Sequence, residues 1–286
     1  MLERKPKPAK MMLSRKAIVG VAVLFVASLF LLISFFPDKT IKNDDFFHQA
    51  KQINDDQDSA VVNFEKDRSG IVSKIEPQNL FKDNQIDEDV IPVDGNKIKI
   101  LISHGKSNDK VVVTKIPVLL LHGAAFNSKT WQDLGTIQFL AKQGYNVIAV
   151  DLPGYGKSVK GKTEVNNADF LDHLITELAL DKPVIVSPSM SGSFSIPYLF
   201  KYGEKMGGFV PVAPVIPAPD ADFSKISVPT FIVSGSLDPG APQKNEILSK
   251  IPNSSSLVIE KAKHPCYLDN PELFHNELLK FLKSIK

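Results

Sequence analysis

Six short, almost wholly apolar runs constrain this chain more than any other feature: Val118–Leu121, Val147–Val150, Val184–Val186, Phe209–Val212, Thr230–Val233 and Leu257–Ile259. A run of that length without polar alternation suits a strand buried on both faces, so a layer must cover each side of the sheet. Helical periods between the runs supply those layers. Thr130–Lys142 lines up Trp131, Leu134, Ile137 and Leu140 and stops at Gly144, and Ala168–Leu180 lines up Phe170, Leu171, Leu174 and Leu178. Pro271–Ile285 opens with Asn270 at the cap and Pro271 at the first helical position, where its missing N–H costs nothing. Upstream, Val90–Val93 and Lys97–Ser103 alternate around Asp94-Gly95, a hairpin signal. The pattern predicts a doubly wound, mostly parallel α/β sheet of about eight strands with an antiparallel edge.

The segment before residue 89 reads differently. Residues 1–16 hold six basic side chains and one acid, residues 17–36 hold no charge, and residues 37–88 are rich in acids. In a helix, the run Ala17–Phe36 would rise about 30 Å, the thickness of a bilayer's hydrocarbon core. It exceeds a signal-peptide core and no A-x-A-like site ends it. The reading is therefore a basic cytosolic tail (1–16), a transmembrane signal anchor (17–36), a charged tether (37–88) and a catalytic domain (89–286). Basic residues before the run and Asp38, Asp44 and Asp45 after it give a single-pass type II topology, with the domain lumenal or extracellular. Asn253-Ser254-Ser255 is then a glycosylation candidate at Asn253. A net charge of +2, with its excess confined to the tail, excludes a nucleic-acid partner. One cysteine, Cys266, excludes an internal disulfide framework and a cysteine-rich zinc module.

Open α/β sheets bind ligands where their strands end, so the residues following each run carry the chemistry. These are His122-Gly123-Ala124-Ala125, Ser187-Pro188-Ser189-Met190-Ser191-Gly192, Ser234-Gly235-Ser236-Leu237-Asp238 and Glu260-Lys261-Ala262-Lys263-His264. Nucleophile, acid and histidine follow in the chain order of α/β-hydrolases. A serine hydroxyl needs a converging base. Of the six histidines (His48, His104, His122, His173, His264, His275), only His264 follows a buried run beyond the serine. The acid that orients it is Asp238, in preference to Asp220 and Asp222 in a Pro-rich loop and Asp269 at a helix start.

The elbow departs from G-x-S-x-G, because serine stands two residues either side of Ser189. Taken alone, S-x-S-x-S is only a polar turn. Its place between a buried strand and a helical segment, ahead of Asp238 and His264, makes it the nucleophile elbow. Two backbone N–H donors are needed for the developing oxyanion. Met190 supplies one, and Ala124 or Ala125 the other.

The motifs Leu119-Leu120-Leu121-His122-Gly123, Trp131–Thr136, Asp151-Leu152-Pro153-Gly154-Tyr155-Gly156-Lys157-Ser158, the serine elbow, Phe209–Pro214 and His264–Asp269 together resemble the abhydrolase-domain-containing-protein-14 family across residues 89–286. The resemblance implies an α/β-hydrolase fold, with serine, aspartate and histidine at Ser189, Asp238 and His264, and hydrolysis of small acyl esters without a cofactor or metal. The anchor suggests the family's membrane-bound branch. The soluble branch implies lysine deacetylation with transfer of acetyl to coenzyme A, which a lumenal domain would not meet. Only 17 residues separate Val212 from Thr230, leaving no room for a lid domain. Two other classes stand beside the serine hydrolase: a non-catalytic binding module on the same fold, and a protein using the thiol of Cys266.

Overall fold

A computed structural model describes residues 85–107, 110–111 and 116–285, all within one compact unit, Ser69–Lys286. Eight strands form the main sheet: β1 (Asp87–Val93), β2 (Asn96–Ser103), β3 (Val118–Leu120), β4 (Val147–Val150), β5 (Val184–Pro188), β6 (Gly208–Val212), β7 (Thr230–Gly235) and β8 (Ser254–Ile259). Their spatial order is β1-β2-β4-β3-β5-β6-β7-β8. A two-residue ladder, Lys106–Ser107 against Lys110–Val111, stands apart from it.

Two cores explain why the strands look apolar throughout. Alternate side chains point to opposite faces of a strand. Ile98, Ile100, Leu119, Ile148, Ile185, Phe209 and Ile232 face one cluster, covered by helices α3 (Asn167–Glu177) and α4 (Gly192–Tyr202). Leu101, Val118, Leu120, Val147, Val184, Val210 and Val233 face the other, under α1 (Ser128–Asp133), α2 (Thr136–Lys142) and α7 (Pro271–Ser284). Helix α5 (Ala241–Leu248) adds Leu248 to the first cluster, and the one-turn α6 (Cys266–Asp269) adds Tyr267 to the second. Full burial of one such side chain contributes about 1.5–3 kcal/mol. Polar alternation on either face would forfeit that.

The antiparallel edge is present as the β1–β2 hairpin, with β1 outermost and β2 running against both β1 and β4. Other details differ from expectation. The β1–β2 turn does use positive φ at Asp94 (49°) and Gly95 (75°), but β1 begins at Asp87, earlier than Val90. The helical period over Thr130–Lys142 is broken by Gly135 at φ 80°, which starts α2 afresh. Leu257–Ile259 lies in the edge strand β8, where Val258 is exposed, so the run is not buried on both faces.

The membrane assignment is withdrawn. No helix among the described residues is long and apolar enough to cross a bilayer. The longest of them, α7, has 14 residues, a rise of about 21 Å, and charged side chains on its outer face. The signal anchor, the type II topology and a membrane partner therefore find no support. The basic tail, Ala17–Phe36, His48 and nearly all of the tether lie outside the described residues.

Candidate active site

Strand register brings the site to one edge of the sheet. Pro188 at the end of β5 pairs with Val212, Val212 with Val233, and Gly235 at the end of β7 with Ile259. The loops after β5, β7 and β8 therefore leave the sheet side by side.

Ser189 follows β5 at φ 50°, in the left-handed region that costs a non-glycine residue strain. A three-residue 3₁₀ turn, Ser189–Ser191, then leads into α4. This sharp strand-to-helix reversal lifts the Ser189 hydroxyl clear of the sheet. The flanking serines turn inward. Ser187 Oγ lies 3.0 Å from Ser191 Oγ and 2.6 Å from Ser195 Oγ, and Ser191 donates to the Pro188 carbonyl at 2.8 Å. All three are fully buried. Where glycine would leave space, this elbow has a hydroxyl ladder. Ser195 was missed from the sequence, although its spacing of four from Ser191 puts both on one helical face. The glycine that cannot be replaced is Gly192: a Cβ there would sit 2.2 Å from the Val215 carbonyl oxygen. Val215 N–H in turn donates to the Ser189 carbonyl at 2.7 Å.

His264 joins the serine to the acid. Its Nε2 lies 2.8 Å from Ser189 Oγ, and its Nδ1 lies 2.7 Å from Asp238 Oδ2. That places an Nδ1–H toward the carboxylate and leaves Nε2 to accept. Asp238 is 7% exposed and its Oδ1 accepts from Gly240 N–H at 3.0 Å. Burial opposes its ionised form. The hydrogen bond and charge of His264, the Gly240 N–H and the Lys244 charge together outweigh that, holding the carboxyl below its ordinary value. Backbone contacts lock the two loops together: Leu237 N–H donates to Ala262 O at 2.8 Å and Lys261 N–H to Ser236 Oγ at 2.8 Å. At Gly235 they approach so closely that a Cβ would meet the Lys263 oxygen at 2.3 Å. Asp269 accepts from Lys263 N–H at 2.6 Å, and so steadies the histidine loop rather than serving the imidazole.

The turn after β3 lies beside the serine, since a Cβ on Gly123 would be 3.4 Å from Ser189 Cβ. Phe126 N–H closes this turn onto Gly123 O at 3.0 Å. Ala124 and Ala125, both exposed, occupy its tip. Trp131 donates to Leu121 O at 2.7 Å and stacks on Tyr267, which couples this turn to the histidine loop. Met190, which follows Ser189, is half-buried.

The remaining candidates are placed elsewhere. His122 is buried, with Nδ1 at 2.9 Å from Gly123 O and Nε2 accepting from Leu152 N–H at 2.9 Å. His173 binds Asp94, and His275 binds Thr136 Oγ1 at 2.8 Å between α7 and α2. Asn253 is exposed and its amide donates to Ser227 O. Burial pushes the Cys266 thiol up to about 12, which removes it as a thiolate nucleophile. Among the described residues no group of three His, Cys, Asp or Glu is placed to hold a metal ion.

The two buried imidazoles set an acid limit on stability. Burial lowers both His122 and His275 below the ordinary value of 6.5. The unfolded chain then binds more protons in mild acid, so stability is full above that value and is lost as pH falls. The melting temperature should therefore drop between about pH 7 and about pH 5, before most carboxylates titrate. A flat or rising profile across that window would contradict the assignment of two neutral buried imidazoles.

A crossover sheet of this order, with a strained serine between β5 and α4 and a histidine-carboxylate pair on the following strand ends, defines an α/β-hydrolase. Residues 118–223 match the Alpha/beta hydrolase family. Human "Putative protein-lysine deacylase ABHD14B" is 41% identical over 179 residues, which are 60% of this chain and 85% of that protein. Rat "Protein ABHD14A" is 43% identical over 174 residues, 59% of this chain and 72% of that one. A solved structure of a predicted CIB-like hydrolase from Thermoplasma acidophilum superposes with a TM-score of 0.62 at 28% identity, covering 70% of this chain and 99% of that one. This chain belongs to the ABHD14 family of α/β-hydrolases.

Proposed function

We propose that the protein is a serine hydrolase that removes short acyl groups through an acyl-enzyme on Ser189. The observation that carries this reading is the imidazole of His264, held within hydrogen-bond reach of Ser189 Oγ on one side and Asp238 on the other. In the first step Ser189 Oγ bonds to the acyl carbon while its proton passes to His264 Nε2. Asp238 stabilises the resulting imidazolium, and the N–H groups of Met190 and of Ala124 or Ala125 receive the oxyanion. Collapse breaks the bond to the leaving group, which takes the proton from His264. Water then repeats the cycle in reverse and frees the acid.

Short acyl groups are favoured because the site is open. The β6–β7 connection contains only a three-residue 3₁₀ turn, Phe223–Lys225, in place of a lid domain. The His264 side chain is 40% exposed, and the apolar residues near the serine and the acid, Val215 and Leu237, are 44% and 57% exposed as whole residues. A further methylene adds about 0.8 kcal/mol only if it can be buried. Nitrophenyl acetate through butyrate should therefore be hydrolysed fastest, with kcat/KM falling beyond about eight carbons as no more area is covered. A kcat/KM that rises steadily to palmitate would overturn the shallow-site reading.

A second reading is favoured by the relative named a protein-lysine deacylase. An open site admits an acylated lysine as donor to the Ser189 hydroxyl, releasing the lysine amine, and then coenzyme A as acceptor, whose thiol takes the acyl group and frees the serine. Release of lysine from an acetylated peptide that requires added coenzyme A, with slow turnover in water alone, would establish acyl transfer over hydrolysis.

A further inference from the structure

One charged side chain near the site has no part in the mechanism above. Lys244 lies in the first turn of α5, and its side chain folds back over Gly240 instead of extending into solvent. A Cβ on Gly240 would stand 3.5 Å from Lys244 Cε, 3.6 Å from its Nζ and 3.6 Å from Asp238 Oδ1. The ammonium and the carboxylate oxygen that His264 does not use therefore flank the same glycine. Nζ also donates to the Ala213 carbonyl at 3.3 Å. Ala213 follows β6 at φ 45°, with its N–H on Val233 O at 2.9 Å. Two residues on, Val215 N–H holds the Ser189 carbonyl.

We propose that Lys244 is a positioning residue, a cationic clamp that ties the acid loop to the β6 turn supporting the serine elbow and supplies a counter-charge to Asp238. The inference rests on Ser189, His264 and Asp238 forming the reactive unit. Two consequences distinguish the clamp from mere packing. Mechanically, one ammonium links the element bearing the acid to the element bonded to the serine, so its loss should loosen their relative placement. Electrostatically, a fixed cation beside Asp238 partly offsets the carboxylate's pull on a proton at His264. Removing the cation should make the imidazolium easier to form, leaving less free base at mildly acidic pH. Burial lowers the Lys244 value from its ordinary 10.5 while Asp238 opposes that drop, so both groups are sensitive to each other's charge. The charged or titratable groups bearing on Asp238 are His264 from the β8 loop, Lys244 from α5 and the neutral Cys266 thiol from α6.

The test compares Lys244→Met, Lys244→Arg and Ser189→Ala in the full chain, on nitrophenyl acetate across pH. Lys244→Met should lower kcat about tenfold with KM changed less than about twofold, because the acid and the serine lose their relative placement while substrate binding is untouched. Its acidic limb of kcat/KM should move up by roughly half a pH unit to one unit, the size expected from one nearby charge. Lys244→Arg should keep the wild-type limb and most of kcat. Loss of kcat in Lys244→Met with an unmoved limb and a lowered melting temperature would reduce Lys244 to packing and overturn the clamp. A raised KM at unchanged kcat would make it a substrate-binding group instead, and also overturn it. Wild-type behaviour in Lys244→Met beside an inactive Ser189→Ala would sink this inference alone, whereas an active Ser189→Ala would sink the reading beneath it.

Discussion

Ser189→Ala should reduce acyl-ester hydrolysis by about 10⁴-fold or more and abolish covalent labelling by a fluorophosphonate. The hydroxyl is the group that His264 Nε2 faces at 2.8 Å, and alanine offers that base nothing to deprotonate. Stability should change by less than about 1 kcal/mol, because Ser189 is only partly buried and alanine accepts the same φ of 50° with similar strain. The neighbouring serines provide the contrast. Ser187 and Ser191 spend their hydroxyls on buried bonds to each other, to Ser195 and to Pro188. Their alanine variants should keep fluorophosphonate labelling yet lose about 1–3 kcal/mol of stability, the cost of stranding a buried partner. If labelling survives in Ser189→Ala and disappears in either neighbour, the nucleophile is misassigned.

Asp238→Asn should lower kcat by about 10³–10⁴-fold with little change in KM. Asn can still accept the Gly240 N–H through its oxygen, so the loop is expected to keep its shape. What changes is the group facing His264 Nδ1. An amide NH₂ there favours the tautomer that carries its proton on Nε2, and Ser189 then meets a donor in place of an acceptor. The lost charge also leaves a developing imidazolium without its partner. Asp222→Asn makes a control, since Asp222 caps the 3₁₀ turn at Ser224 in the lid-less connection. It should leave kcat within about twofold. Retention of more than about a tenth of wild-type kcat in Asp238→Asn would show that the carboxylate neither orients the base nor stabilises its cation.

Much of the α/β core was legible because burial on two faces leaves a local trace. Val118–Leu121, Val147–Val150 and Val184–Val186 cannot hide a polar residue on either side, so each reads as one apolar run. That Ser189, Asp238 and His264 come together was legible for a related reason: parallel strands end at one edge of the sheet, so the loops after the runs meet there. The hairpin at Asp94-Gly95 and the cap at Asn270 were equally local, since each depends on the conformation of a few adjacent residues. The apolar run Ala17–Phe36 lies outside the described residues, and no described helix is long and apolar enough to cross a bilayer.

Chain order, strand burial and turn chemistry therefore determined the fold class and the membership of Ser189, Asp238 and His264 in one site. Tertiary structure decided what depends on distances between elements far apart in the chain. It put β2 inside the sheet because β1 takes the edge, and it split the Thr130–Lys142 helix at Gly135. It turned Ser187, Ser191 and Ser195 into a buried ladder, and it made Gly192 and Gly235 obligatory through carbonyl oxygens some 23 to 28 residues away. Lys244 shows the difference most plainly. As a lysine near the start of a helix it carries no sequence signal; only the fold sets its ammonium against Ala213 and over Gly240 toward Asp238, because a charge acts through space and not along the chain.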